Sequence, residues 1–335
     1  MKINQIQIGT DAGHTKKRSL SIAVGLLTLS LGLLTSTAAS AQGNSEKETI
    51  PNKVQHKINP GHPTIGLAAT GDTATQSPIT SRGGKVMTGA PNIHLIWYGN
   101  WAQGNGSDTA AGQQIVREFM SGIGNSPYLA INSTYTGSNG QVSGLLGTVQ
   151  ESNVGYTKGK RLRDADISQI VSDYITSSGQ KDTSALYYVL TSSDVAELSG
   201  SCTKYCGWHT AANIQNAEIK YSFVFNTNRC LSSCAAQTVS PNGNAGVDGM
   251  LSVMAHELEE ALTDPVVGAT WVDANGAENA DKCSWTFGHA QQTDAKGASY
   301  NLTLNTINGS KNYLIQRNLS NVDNKCYLNG ARTIN

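Results

Sequence analysis

Short apolar runs bounded by turn residues predict the strands of this chain. Asn92–Tyr98 and Ala185–Leu190 are almost continuously apolar, a pattern typical of strands buried on both faces. Ile219–Phe225 alternates, so we expect a strand with one wet face. The last third is rich in Gly and Asn, and a short strand is expected there at Tyr313–Ile315.

Apolar residues at helical spacing predict three helices among these strands. The first follows Asp108, which is suited to cap it, and the second covers residues 165–177. The third begins after Asp248 as its cap and stops before Pro265. Because strands and helices alternate through the middle of the chain, we predict one α/β domain, with α+β as the alternative. We expect a mixed sheet with packed helices.

The N-terminal pattern is different and predicts export. A basic cluster at Lys16–Arg18 precedes an apolar run, Ile22–Leu34, and the small residues Ala39–Ala41. This order indicates a signal peptide at residues 1–41, with a retained membrane anchor as the alternative. After cleavage we expect a secreted, extracellular protein without stable membrane insertion.

The organisation of the remaining chain follows from its periodicity. Residues 42–85 carry several prolines and no periodic apolar pattern, so they are predicted to be a flexible linker or a pro-segment. Residues 86–330 are predicted to be the globular domain. Lys plus Arg and Asp plus Glu each number 24, so no basic excess points to a nucleic-acid partner.

Six cysteines lie in the C-terminal half, and an even count in an exported chain favours disulfides. Two pairs have CxxxC spacing, and the last two cysteines stand alone. A four-cysteine zinc site built from the two CxxxC pairs is the alternative. The most economical of the possible pairings is Cys202–Cys206, Cys230–Cys234 and Cys283–Cys326.

The third helix carries the chemistry. His256 and Glu260 are four residues apart and therefore share one helix face, with Glu257 beside the histidine. This is the HExxH arrangement of zinc hydrolases with the second His replaced by Glu. We expect His256 and Glu260 to bind a metal and Glu257 to act as the catalytic general base. Zinc is the expected ion, and the added carboxylate makes calcium more competitive.

A third ligand is expected from the acidic turn after this helix. Asp281 and Glu278 are the candidates, with Asp264 at the helix end as an alternative. The competing interpretation of the whole helix is a solvated acidic face. His209 follows a cysteine and is interpreted as a structural histidine beside a disulfide, with a position next to the site as the alternative.

Several blocks resemble the EXORDIUM or phosphate-induced protein family. They are VMTG at 86–89, IHLIWYGNW at 93–101, CTKYCGWH at 202–209 and PNGNAGVDGM at 241–250, together with Cys230 and Cys234. The resemblance implies an extracellular protein linked to growth or carbon-status signalling. We interpret the chain as a bacterial-type member. The metal site is inferred from the helix and not from this resemblance.

A shorter resemblance leads to a different function. Residues 256–265 and the acidic turn resemble bacterial metallopeptidase-like proteins with a zincin-type helix, which implies a zincin-like domain. The first hypothesis is a secreted zinc-dependent hydrolase, a peptidase that acts on an extracellular peptide. The second is a non-catalytic extracellular protein that binds a cell-wall component, with a structural or calcium-filled acidic site.

Overall fold

A mixed six-stranded sheet organises the computed structural model, which describes residues 54–57 and 77–329. The predicted signal peptide, residues 1–41, lies outside the described residues. The described residues belong to one compact unit. Among them, no helix is both long and apolar enough to cross a membrane.

The regular elements are eighteen strands and four α-helices within the described part of the chain. The strands are β1 Val54–Lys57, β2 Thr80–Ser81, β3 Ile93–Tyr98, β4 Thr136–Gly137, β5 Gly140–Gln141, β6 Val149–Gly155, β7 Arg161–Leu162, β8 Leu186–Thr191, β9 Ala196–Glu197, β10 Tyr205–Ile214, β11 Ala217–Phe225, β12 Trp271–Val272, β13 Gln292–Thr293, β14 Ser299–Tyr300, β15 Leu302–Thr306, β16 Gly309–Tyr313, β17 Asn318–Ser320 and β18 Lys325–Tyr327. The helices are α1 Ala110–Ile123, α2 Asp164–Ser178, α3 Leu231–Cys234 and α4 Ala245–Thr263.

The central sheet has the strand order β1-β10-β11-β8-β3-β6. Strands β6, β3, β8 and β11 run parallel, whereas β10 is antiparallel to β11 and β1 is antiparallel to β10. Parallel neighbours need crossover connections, and α1 and α2 lie in the connections from β3 to β6 and from β6 to β8. The fold is therefore the predicted α/β class with a mixed sheet.

The predicted helices form, but their caps differ. Thr109 caps α1 by accepting from the backbone N–H of Gly112 at 3.0 Å, and Asn244 caps α4 by accepting from Val247 at 3.1 Å. Asp108 was the expected cap of α1. It is buried instead and accepts hydrogen bonds from the Ser193 backbone and the Asn226 side chain. Asp248, the expected cap of α4, lies inside its first turn.

Three strand expectations need correction. In β11 the residues from Tyr221 to Phe225 are all buried, so the alternation with an exposed face is confined to the start of the strand, where Glu218 is exposed. The strand expected at Tyr313–Ile315 is β16, which ends at Tyr313. Strand β10 was not predicted. Its first six residues are all buried and show no alternation, and it contains Gly and Ala, which have weak strand preference.

Helix α4 is the buried centre of the domain. Every residue from Gly246 to Thr263 is buried, and the helix packs against β10 and β11 on one side and α1 on another. Gly207 allows the close approach to β10. A Cβ at that position would lie 2.6 Å from Val253 Cγ1 and 3.2 Å from Glu257 Oε1. The absence of a side chain at Gly207 therefore sets the distance between the helix and the sheet.

Three disulfides stabilise the C-terminal part, with no free cysteine among the described residues. The Cys283–Cys326 pairing is confirmed. The expected links within each CxxxC pair are wrong, because the structure joins Cys202 to Cys230 and Cys206 to Cys234. The reason is the β10–β11 hairpin, which brings the segment before β10 beside the segment after β11. The four-cysteine zinc alternative is excluded by the same bonds.

Parts of the predicted linker take part in the fold. Strand β1 pairs with β10, and Val54 lies opposite His209 in the register. Strand β2 pairs with β12, where Thr80 faces Val272. Ile79 is buried in the core. The folded part therefore begins before residue 86.

We expect Gly207→Ala to destabilise the protein by about 1–3 kcal/mol, because the added methyl group overlaps the Val253 side chain and pushes α4 from the sheet. Urea unfolding monitored by circular dichroism measures this loss. Gly104→Ala is the control, since a Cβ there has no atom within 4 Å. Equal stability of the two variants would contradict the close packing at Gly207.

Tryptic mapping without reduction should distinguish the two disulfide patterns. Trypsin cuts after Lys204 and Arg229, so Cys202 and Cys206 fall on separate peptides while Cys230 and Cys234 share one. The structure predicts that all three peptides are joined. A peptide starting at Cys230 that is free of both upstream peptides would instead indicate links within each CxxxC pair.

Candidate metal centre

The C-terminal half of helix α4 directs the side chains of His256, Glu257, Glu259 and Glu260 into the protein interior. His256 and Glu260 lie on one face as expected from their spacing, and the distance from His256 Nε2 to Glu260 Oε1 is 3.0 Å. Asp281, from the turn after the helix, approaches the same imidazole with its Oδ1 at 3.7 Å. The structure therefore brings together His256, Glu260 and Asp281, three of the predicted ligands, in a group that could hold a metal ion.

The Cys283–Cys326 disulfide and the helix both position Asp281. Its backbone N–H donates to Glu260 Oε1 at 3.1 Å, so the turn is bonded directly to the helix carboxylate. Cys283, two residues further on, is tied to β18 by the disulfide. The acidic turn is therefore held against α4 from both sides.

His209 belongs to the same cluster, contrary to its interpretation as a structural histidine beside a disulfide. It lies on β10, the strand that packs against α4, and is 1% exposed. Its Nδ1 is 3.3 Å from Glu257 Oε2 and 3.5 Å from Glu260 Oε2. His209, Glu257 and Glu260 form a second group that could hold a metal ion.

The remaining two candidates lie at the edge of the cluster. Glu278 is fully buried and approaches His209 rather than His256, with its Oε1 at 3.6 Å from Nε2. Asp264 accepts hydrogen bonds from the backbone N–H groups of Gly268 and Thr270, both at 2.5 Å. Asp264 therefore stabilises the turn after α4, and the geometry assigns it to neither group of three.

Burial and mutual repulsion perturb the acids of this cluster. Burial raises the pKa of Glu257 to about 7. Burial, followed by repulsion from Glu260, raises the pKa of Glu278 well above its usual value and also raises that of Asp281. Burial acts in the same direction on Glu260, but the two imidazoles outweigh it and lower its pKa. Glu257, Glu278 and Asp281 are thus harder to ionise than free carboxyls, whereas Glu260 keeps its charge beside the two imidazoles.

The pKa values of the two histidines are also raised, which for an imidazole favours the charged form. Burial alone lowers the pKa of His209, but its contacts with Glu257 and Glu260 outweigh burial and raise the pKa to about 10. For His256 the charge of Glu260 and the contact with Asp281 likewise raise the pKa to about 10. The cluster attracts cations, whether these are protons on the imidazoles or metal ions.

Glu259, the third carboxylate of this stretch of the helix, has a different environment. Its Oε2 accepts from the side-chain amides of Asn132 and Asn318, the latter at 2.6 Å. Asn279 donates to Asn132 Oδ1 at 3.1 Å and extends this group of amides. Oε2 of Glu259 is therefore paired with neutral donors, whereas its Oε1 is buried without a hydrogen-bond partner. Sequence reasoning missed this arrangement because the three asparagines come from segments that are distant in the sequence.

These features define a disulfide-linked α/β protein with a buried histidine and carboxylate cluster on its central helix. Residues 79–328 match the family model described as the phosphate-induced protein 1 conserved region. The chain belongs to this family, the EXORDIUM or phosphate-induced protein family, as its motifs predicted. No solved structure matches the chain.

Curated relatives carry the family names. Protein EXORDIUM-like 3 of Arabidopsis thaliana is 30% identical, and the match covers 72% of this chain and 80% of the relative. EXORDIUM-like 5 of the same plant is 26% identical over 70% of this chain and 72% of the relative. PHOSPHATE-INDUCED 1 of Nicotiana tabacum is 28% identical over 54% of this chain and 63% of the relative.

We expect the stability of the protein to depend on pH through Glu259. Burial raises the pKa of this carboxyl well above its usual value. As pH rises from about 5 to about 8, the unfolded chain loses this proton while the folded protein keeps it, so stability falls by up to ~1.4 kcal/mol per pH unit. Glu259→Gln has no such proton. The wild type should therefore lose stability relative to this variant as pH rises.

Urea unfolding over this pH range measures the effect. Glu259→Leu serves for comparison, because it leaves the amides of Asn132 and Asn318 without their acceptor. It should be less stable than Glu259→Gln at each pH, by about 1–3 kcal/mol. Parallel pH profiles for wild type and Glu259→Gln would show that Glu259 is ionised in the folded protein.

Proposed function

We propose that this chain is an extracellular, non-catalytic member of its family, with a structural zinc ion bound by His256, Glu260 and Asp281. The cation would join helix α4 to the acidic turn. Its biological role would be to bind an extracellular peptide or a cell-wall component, as in the growth or carbon-status signalling that the family resemblance implies.

Enclosure of the candidate ligands is the observation that carries this proposal. The side chains of His256 and Glu260 are fully buried, and that of Asp281 is 19% exposed. A catalytic zinc keeps a coordination position open to water and substrate, whereas a structural zinc is closed. An ion among these three side chains would be enclosed by the surrounding protein rather than by a fourth protein ligand, and this enclosure favours a structural role.

The donor atoms favour zinc over calcium. Zinc accepts imidazole nitrogen together with carboxylate oxygen, whereas calcium takes oxygen ligands. In a tetrahedral zinc site the donor atoms lie about 3.4 Å from one another. The distances of 3.0 and 3.7 Å from His256 Nε2 to its two carboxylate partners bracket this value.

The exported location is supported by the disulfides. All six cysteines are paired, and disulfides persist in oxidising compartments. The names of the curated relatives place them in the EXORDIUM and phosphate-induced groups.

A zinc-dependent hydrolase is the second candidate. The observation in its favour is the position of Glu257 beside the first metal ligand, as in the HExxH arrangement, together with the partial exposure of Asp281. In that case Glu257 would take a proton from water at the metal. Its Oε2 faces His209 in the structure, which makes Glu257 part of the second group of three.

Metal analysis of the purified protein tests the proposed function. We expect bound zinc that a strong chelator removes, with a fall in the melting temperature, because the ion offsets repulsion among buried carboxylates. Glu260→Gln should lose this zinc, since it removes the charged ligand shared by the cluster. Glu259→Gln is the matched control on the neighbouring position and should keep it.

Hydrolysis assays separate the two candidates. The non-catalytic proposal predicts that the zinc-loaded protein does not cleave casein or a mixed peptide library above the level of the chelated protein. Zinc-dependent cleavage that falls about a hundredfold or more in Glu257→Gln would support the hydrolase instead. Metal-free protein with an unchanged melting temperature after chelation would overturn both.

A further inference from the structure

The two groups of three meet at one side chain. Glu260 belongs to both, and its two oxygens face different histidines. Oε1 lies 3.0 Å from His256 Nε2, whereas Oε2 lies 3.5 Å from His209 Nδ1. A carboxylate with a separate imidazole on each oxygen has the geometry of a bridge between two cations.

The second group has donor spacing suited to a metal ion. His209 Nδ1 lies 3.3 Å from Glu257 Oε2 and 3.5 Å from Glu260 Oε2. Both distances are close to the roughly 3.4 Å that separates donor atoms around a tetrahedral zinc ion. These contacts are long for charge-assisted hydrogen bonds, which are usually about 2.7–2.9 Å.

Several polar atoms around this group are buried without a hydrogen-bond partner. They are Glu257 Oε1, Glu260 Oε2, His209 Nε2 and both carboxylate oxygens of Glu278. Buried polar atoms are normally paired, so a concentration of unpaired acceptors around one histidine points to a bound cation. Glu259, the neighbouring helix carboxylate, has two amide donors on Oε2 but also a buried Oε1 without a partner, and no imidazole lies against it within the two groups of three.

The far side of His209 also fits a metal ligand. While Nδ1 faces Glu257 and Glu260, Nε2 faces Glu278 Oε1 at 3.6 Å. Metal-binding histidines commonly donate their other ring N–H to a carboxylate, which fixes the tautomer and the ring orientation. Glu278 is in position for this role, which explains why an acid is buried beside an imidazole at the edge of the cluster.

The charge of the cluster also accommodates two divalent cations. When ionised, the buried Glu257, Glu260 and Glu278 and the partly exposed Asp281 bring four negative charges, and metal-bound imidazoles are neutral. One divalent ion leaves two of these charges without compensation, whereas two ions neutralise all four. Uncompensated buried charge is strongly unfavourable.

We propose that His209, Glu257 and Glu260 bind a second divalent cation, so that Glu260 bridges a pair of zinc ions at the interface of α4 and β10. This inference deepens the proposed function and rests on its first zinc site. It assigns Glu257 as a metal ligand and Glu278 as the carboxylate that orients His209.

The test measures zinc per chain in the full-length protein purified with its disulfides formed. The protein is stripped with chelator, reloaded with zinc chloride, passed through a desalting column and analysed by mass spectrometry of the metal. We expect two zinc ions per chain. Glu257→Gln and His209→Gln should each retain one, because the first site keeps its three ligands.

Two controls retain two zinc ions if the assignment is correct. Glu259→Gln changes a buried acid of the same helix that lies outside both groups. His94→Gln changes a buried histidine that stacks on Tyr187 and bonds Tyr174, away from the cluster. Loss of zinc in either control would overturn the assignment, since general destabilisation would then explain the losses.

X-ray absorption on the wild-type protein gives a result that does not depend on the folding of variants. A bridged pair should show zinc–zinc scattering at about 3.5–4 Å. One zinc ion per chain, without this scattering, would overturn the second site and leave the proposed function intact. Absence of zinc from the reloaded wild type would overturn both.

Discussion

The burial of acidic side chains on one helix is the constraint on which the rest of the structure depends. Helix α4 places Glu257, Glu259 and Glu260 inside the protein, each with no exposed surface. A buried carboxylate without compensation costs several kcal/mol, a sum comparable with the whole stability of a domain. Several elements around the helix supply the compensating groups, among them His209 from β10 and the amides of Asn132 and Asn318.

Buried carboxylates within one turn of helix α4 are compensated in two different ways. Burial raises the pKa of Glu259, and its side chain accepts from the amides of Asn132 and Asn318, which makes it part of the packing. Glu257 and Glu260 face imidazoles on β10 and on the helix itself, which leaves a site for cations. Neighbouring residues of the same type thus have different surroundings, decided by which elements pack on each face.

The elements with strong local patterns could be predicted from the sequence, and those decided by distant contacts could not. Periodicity predicted β3, β8, α2 and α4, and helical spacing placed His256 beside Glu260. The position of His209 next to the site was only an alternative at that point, because it depends on the unpredicted strand β10 lying against α4. The cysteine pairing failed for the same reason, since the β10–β11 hairpin brings together residues that are 28 apart in the sequence.

The hairpin closed by these two disulfides has a topological consequence. Gln215 and Asn216, with positive φ angles of 52° and 61°, form its two-residue turn, the part of the hairpin that projects furthest from the cross-links. A protease that cuts this turn leaves both strands covalently joined at their other end. The nicked protein therefore remains a single molecule, and its two fragments can reassemble β10 beside α4 without the entropy loss of a bimolecular encounter.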